Sequence, residues 1–220
     1  MVLAVSVITT TGFAGKRFLE RPFDEVLRTG EPNFPFCLCW ANVNWTGSWY
    51  GAPKHTIVPQ TYPGEADYAA HFECLAKAFS DIRYIRVHDR PLLLIWDPQD
   101  IPDRAFLLAY WRRRAITSGF KGIHLVGVRC IVRPEHRHWG FDGWVTARPP
   151  VFPDNFRSDV ERNVPWVLEH KAVLHDLVNQ IDNGDIDYPC TGPGWDNTPP
   201  VPGHGGLFFM GQPRSCLGGL

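Results

Sequence analysis

The sequence predicts an α/β fold of parallel strands joined by crossover helices, and three observations predict it. Short apolar runs alternate with longer segments whose apolar residues recur every three or four positions. Leu92 to Trp96 (LLLIW) is a continuous apolar run, the pattern of a strand covered on both faces. No internal repeat is present, and 220 residues suffice for one ordinary domain.

Each element follows in order. Residues 2–11 are rich in Val, Ile and Thr and read as a strand. Leu19, Phe23, Val26 and Leu27 have helical spacing, Pro22 suits a first turn, and Gly30 is the stop. Phe34 to Trp40 (FPFCLCW) reads as a buried strand, with Cys37 and Cys39 on one face as small buried hydrophobes. Ala41 to Pro53 reads as a polar, Trp-rich loop. Glu65 to Ser80 is the clearest helix, because Tyr68, Phe72, Leu75 and Phe79 form one apolar stripe. After the strand at 92–96, Asp103 is the expected N-cap of a helix carrying Leu107, Leu108, Trp111 and Ala115, closed by Gly119. Ile123 to Val128 and Gly143 to Thr146 read as strands. Trp166 to Ile181 reads as a helix through Val167, Leu174, Leu177 and Ile181. Beyond Gly184 the chain is rich in Pro and Gly and irregular, apart from a short strand at Leu207 to Met210. A closed eight-stranded barrel takes about 250 residues. The five or six strands counted here therefore predict an incomplete (β/α) TIM-type barrel, one partial domain over 1–220.

Bulk properties exclude several classes of function. The 22 basic and 23 acidic side chains leave a net charge of −1, so no nucleic-acid partner is expected. No apolar stretch reaches the ~20 residues of a membrane span. The six cysteines (Cys37, Cys39, Cys74, Cys130, Cys190 and Cys216) contain no C-x-x-C pair and demand no oxidising compartment. A cytoplasmic location is therefore the default expectation; Met1 to Ile8 is apolar but short and has no preceding basic residue, a weak signal-peptide pattern that stays open. No G-x-S-x-G, P-loop or dinucleotide fingerprint occurs, and no cofactor is expected. His136 and His138 lie two apart in RPEHRHW; without partner ligands at recognisable spacing they read as a solvated basic loop and no metal site. Arg112, Arg113 and Arg114 read as a solvated helix face.

In parallel α/β barrels the working residues follow the carboxyl ends of strands. Those positions hold Trp40, Asn42, Asn44 and Trp45, then Trp49; Trp96 and Asp97; Arg129; Asp142 and Trp144; and, in a late turn-rich segment, Trp195, Asp196 and Asn197. Asn and Asp hydrogen-bond vicinal hydroxyls, and an indole covers the apolar face of a pyranose. The set points to a carbohydrate substrate. The plainer reading, in which Asn and Asp form turns and Trp fills the core, stands beside it for any single residue.

Several segments together resemble a known family. GKRFLERPFDEVL (15–27), FPFCLCWANVNWT (34–46), DIRYIRVHDRPLLLIWDP (81–98), the helix start at Ile101-Pro102-Asp103 and YPCTGPGWDNTP (188–199) resemble the WbsX-type family. The resemblance runs from about Gly15 to Pro199, and the CWANxNW and GWDNTP segments are its specific parts. It implies a glycosyltransferase of surface-polysaccharide (lipopolysaccharide or O-antigen) clusters. It also implies similarity to the endo-α-mannosidase group, glycoside hydrolase family 99, with a (β/α)-barrel fold.

Three departures from the family pattern shape the expectation. The family reads CWANENW, and its Glu is Val43 here. A C-terminal motif of the type NAWNEWxEG, which holds acidic residues, is missing from this sequence. The aromatic, His-containing strand before the GKR segment is VSVITTT (5–11) instead. Codons for Ser-Val-Ile-Thr-Thr-Thr-Gly can be read one base earlier as Cys-Tyr-His-His-Tyr-Trp, close to the family's strand. Residues 1–14 and 201–220 are therefore atypical ends for which a frameshift is the hypothesis; a gene without that alternative frame would remove it. Glycosidic cleavage needs two carboxyl groups about 5–5.5 Å or about 6.5–9.5 Å apart. Asp97 and Asp196 are the remaining candidates by position, neither matches a family catalytic motif, and the catalytic residues stay unknown. The sequence thus predicts a truncated, inactive member. A non-catalytic glycan-binding module and a non-functional gene fragment stay open as alternatives.

Overall fold

The computed structural model describes residues 5–13, 16–18, 20–47, 52–96, 98–129, 134–146, 166–169, 187–188 and 206–209. The strands are β1 (Val5–Phe13), β2 (Lys16–Phe18), β3 (Phe36–Trp40), β4 (Trp45–Gly47), β5 (Ala52–Val58), β6 (Arg86–Val87), β7 (Arg90–Trp96), β8 (His124–Arg129), β9 (Gly143–Thr146), β10 (Trp166–Glu169) and β11 (Gly206–Phe209). The helices are α1 (Glu20–Thr29), α2 (Glu65–Phe79) and α3 (Arg104–Thr117).

The fold is mixed α/β with a mostly parallel sheet, ordered β2-β1-β3-β7-β8-β9, and β6 adds to β7. Strands β1, β3, β7 and β8 run parallel. Crossovers through α1, α2 and α3 join them in turn, as alternation of strand and helix patterns predicts. The register aligns Thr9, Trp40, Ile95 and Gly127 in one row across the four strands. Residues in one row share a face of the sheet.

Strand β7 shows how the sheet is covered. Pro91, Leu93 and Ile95 are fully buried, whereas Arg90, Leu92, Leu94 and Trp96 alternate with them as half-buried. The continuous apolar run thus has one tightly packed face and one partly covered face. On the tight face, the α2 stripe Tyr68, Phe72, Leu75 and Phe79 is at most 1% exposed, as its spacing predicts. Leu107, Leu108, Trp111 and Ala115 of α3 complete the same core. Burial of each large side chain contributes about 1.5–3 kcal/mol.

Two buried polar groups lock the strands to their connections. The Tyr84 hydroxyl donates to the Leu92 carbonyl at 2.7 Å and accepts from the Leu38 amide at 3.1 Å, bridging β3 and β7. The Arg83 guanidinium donates to the Val26 and Pro32 carbonyls and to Asp81, fixing the end of α1. Gly30, at φ 78°, ends that helix in the left-handed region that favours glycine.

The structure departs from the sequence expectations at four places. Ala41 to Pro53 is not all loop: β4 pairs with β5 in a small separate sheet, and β5 runs on to Val58. The turn residues Gly and Ser masked two short strands that backbone pairing completes. The β6–β7 hairpin, turned by His88 and Asp89 at positive φ, was also unforeseen. Trp166 to Glu169 is a strand paired parallel with Gly206 to Phe209, not the start of a helix. A partner about forty residues away supplies ladder bonds that outweigh a weak local period; residues 170–181 lie outside the described residues. Finally, Asp103 sits at the N-cap of α3 but makes no side-chain cap bond, because its carboxylate accepts from the Tyr68 hydroxyl.

The chain divides into two compact units. One holds α1 to α3 with β1 to β3 and β6 to β8, and the other holds most of β4 and β5 together with β10 and β11.

Candidate functional site

Parallel strands bring their carboxyl ends to one edge of the sheet. Here that edge carries Trp40 at the end of β3, Trp96 at the end of β7 and Arg129 at the end of β8. Trp96 is half-buried, is paired in register with Val128, and faces away from the helix-covered side on which Ile95 lies.

The turn after β3 is held by its two asparagines. The Asn42 side chain is 1% exposed; its amide donates to the Tyr62 hydroxyl at 3.1 Å, and that hydroxyl donates to the Asn42 carbonyl at 3.2 Å. Asn44 is exposed, and its Oδ1 accepts the Gln60 amide at 2.7 Å. Both asparagines therefore tie residues 42–44 to the segment 60–62. Trp45, half-buried, opens β4 immediately after. Val43 is also half-buried and offers no polar atom between the two amides.

Trp40 has the placement of a core residue. It is 1% exposed, and its ring meets His71 edge-on at 4.7 Å, Trp111 at 5.6 Å and Tyr62 at 6.1 Å. Its Nε1 has no hydrogen-bond partner among the described residues. Burial, with a smaller push from Arg17, lowers the His71 imidazole to about 3, so this ring is neutral. Asp97, Trp195, Asp196 and Asn197 lie outside the described residues, as does Trp49.

A second cluster gathers beyond β8. The helical turn Pro134–Trp139 presents His136 and Trp139 to Trp144 of β9, at 5.3 and 5.8 Å between ring centroids. His136 is 4% exposed, so it belongs to an aromatic cluster, while His138 is exposed as a solvated loop predicts. Two guanidinium carbons lie over the Trp139 ring: Arg104 at 3.9 Å and Arg129 at 5.4 Å from its centroid. Arg104 begins α3, and Arg129 ends β8. Their convergence was not legible in the sequence, where Arg104 and Trp139 lie 35 positions apart.

Asp142 belongs to the opposite edge. It accepts the Leu125 amide at 2.9 Å, near the start of β8, and pairs with Arg90 and Arg112. Burial opposes its ionisation, but the Leu125 amide and Arg112 outweigh that and hold its carboxyl below the ordinary range. Arg112 is thus partly engaged, and Arg114 pairs with Glu73. Among the described residues, no group of three or more His, Cys, Asp or Glu is placed to hold a metal ion. No described helix is long and apolar enough to cross a membrane.

Comparison with known proteins identifies a family for the sequence. The family described as Glycosyltransferase WbsX matches residues 12–215. Two proteins named "Uncharacterized protein WxcX", from Xanthomonas campestris pv. campestris strains ATCC 33913 and B100, are each 32% identical over 216 residues. Each alignment covers 92% of this chain and 30% of the relative, so the chain spans less than a third of the relatives' length. No solved structure matches. Matched by the family over nearly its whole length, the chain belongs to the WbsX glycosyltransferase family.

Proposed function

We propose that this chain carries part of the glycan-binding edge of a carbohydrate-active protein that works on surface polysaccharide, built on part of a (β/α) barrel. The observation that carries this reading is the carboxyl edge of β3 and β7. There a stapled Asn42-Val43-Asn44-Trp45 turn and Trp96 follow adjacent parallel strands. In this reading Trp45 and Trp96 cover sugar rings, exposed Asn44 presents its amide to hydroxyls, and buried Asn42 holds the turn in place through Tyr62. Buried Trp40 supports the turn from beneath through Tyr62. Asp97, Trp195, Asp196 and Asn197 are proposed as further sugar contacts on their sequence positions and the family resemblance alone.

Binding without turnover is the expected behaviour of this chain, because apolar Val43 stands where the family pattern carries a Glu. The parent protein's reaction is a glycosyl transfer or, on the endo-α-mannosidase analogy, a cleavage; fold alone does not choose between them. The free thiols Cys37 and Cys74 fit a cytoplasmic location.

Calorimetry of the chain against bacterial surface glycan and α-mannan tests the reading, alongside an assay for released or transferred sugar. Binding that weakens in Trp45→Ala, with no turnover, is the expected result. Turnover lost in Asp97→Asn or Asp196→Asn would replace the binding module by an enzyme. No affinity for any glycan would sink both.

A further inference from the structure

We propose that Arg104, Arg129 and Trp139 form a subsite for an anionic group on the glycan, the carboxylate of a uronic acid or the phosphate of a sugar phosphate. The inference rests on the glycan-binding reading and adds a substrate class to it. Both guanidinium groups lie over one indole, at 3.9 and 5.4 Å from its centroid, and both leave the carboxyl-end side of the sheet, Arg129 from the end of β8 and Arg104 from the start of α3.

Two like charges gathered on one ring repel each other, and partial burial strips solvent from them. Arg104 shows both effects: burial first, then the charge of Arg129, lower its affinity for its proton. Among the described residues no ion pair takes Arg104. Its hydrogen bond there goes to the Pro98 carbonyl at 3.3 Å. A guanidinium carries five N–H donors, so Arg104 keeps donors to spend. A carboxylate or phosphate would take two of them in a fork and relieve the repulsion. Trp139 is the holder: cation–π attraction fixes the two groups before a ligand arrives. His136, Trp144 and Phe141 build the cluster that keeps Trp139 and its neighbours in place.

The test is calorimetry of the full chain with trigalacturonate, neutral galactotriose and glucose 1-phosphate. The variants are Arg104→Met, Arg104→Lys, Trp139→Leu and, as control, Lys121→Gln on the exposed pair with Asp89. Trigalacturonate should bind about tenfold tighter than galactotriose. That advantage should vanish in Arg104→Met and Trp139→Leu and survive in Lys121→Gln. Arg104→Lys keeps the charge without the fork and should lose about threefold or more, which separates recognition from simple attraction and guards against a misfolded Met variant. If glucose 1-phosphate instead shows this dependence, the subsite is supported and phosphate is its source. Equal affinity for charged and neutral trisaccharides, or an Arg104→Met variant that binds as wild type, overturns the subsite. Galactotriose binding that still falls in Trp45→Ala would then leave the glycan reading standing. No binding by any of the three probes overturns the subsite, while binding of bacterial surface glycan or α-mannan that falls in Trp45→Ala would keep the glycan reading.

Discussion

The Trp144 indole lies directly on Gly127. A β-carbon built at Gly127 would overlap the indole Cζ3, with Cε3 at 2.7 Å and Cη2 at 2.8 Å. Gly127 is on β8, and Trp144, 1% exposed, is on its neighbour β9. The large ring fills the place that a side chain on β8 would take. Gly127→Ala should therefore destabilise the fold by about 1–3 kcal/mol, through overpacking. Urea unfolding measures it, and adding Trp144→Leu should recover part of the loss. An alanine variant as stable as wild type would mean that the ring moves freely.

Tyr68 and Asp103 give a second prediction. The carboxylate at the head of α3 accepts from the Tyr68 hydroxyl and makes no cap bond to its own helix. Tyr68→Phe and Asp103→Ala should each cost about 1 kcal/mol. The double variant should cost little more than either, since both remove one bond. Additive losses would return Asp103 to the helix-capping role that its sequence position predicts.

His71 sets a pH window. Its folded value is about 3, and the unfolded chain titrates the ring near about 6.5. Between those values the unfolded state binds a proton that the folded state does not. Stability is therefore full above about 6.5 and falls with pH, by about 1.4 kcal/mol per unit. Unfolding measured from pH 7.5 down to 5 stays clear of most carboxylate titration. His71→Phe should flatten that slope. An unchanged slope would show that the ring takes up its proton in the folded protein.

The turn after β3 should be sensitive to a hydroxyl that the sequence does not single out. Tyr62→Phe keeps the ring against Trp40 but frees the Asn42 amide. On the proposed reading, glycan affinity should fall several-fold, with a loss of about 1 kcal/mol or less in stability. Trp45→Ala should lower affinity by about tenfold, as expected for a lost ring contact. Affinity unchanged in both variants would move the glycan site off this turn.

The α/β class, the three helices and the four parallel strands were legible because each rests on local pattern. Tyr68, Phe72, Leu75 and Phe79 form a stripe wherever a helix forms, and LLLIW is strand-like in any sheet. The family was legible in CWANxNW because that spacing belongs to few sequences. The partners of those residues were not legible. Local sequence placed Asp103 as a cap, Asp142 among the site candidates and Arg104 nowhere. Tertiary packing turned Asp103 to Tyr68, set Asp142 at the amino end of β8, and carried Arg104 and Arg129 to Trp139. The physical reason is range. Periodicity and turn chemistry act over a few residues, whereas a carboxylate, an amide or a guanidinium takes whichever partner the register of distant strands brings within about 3 Å.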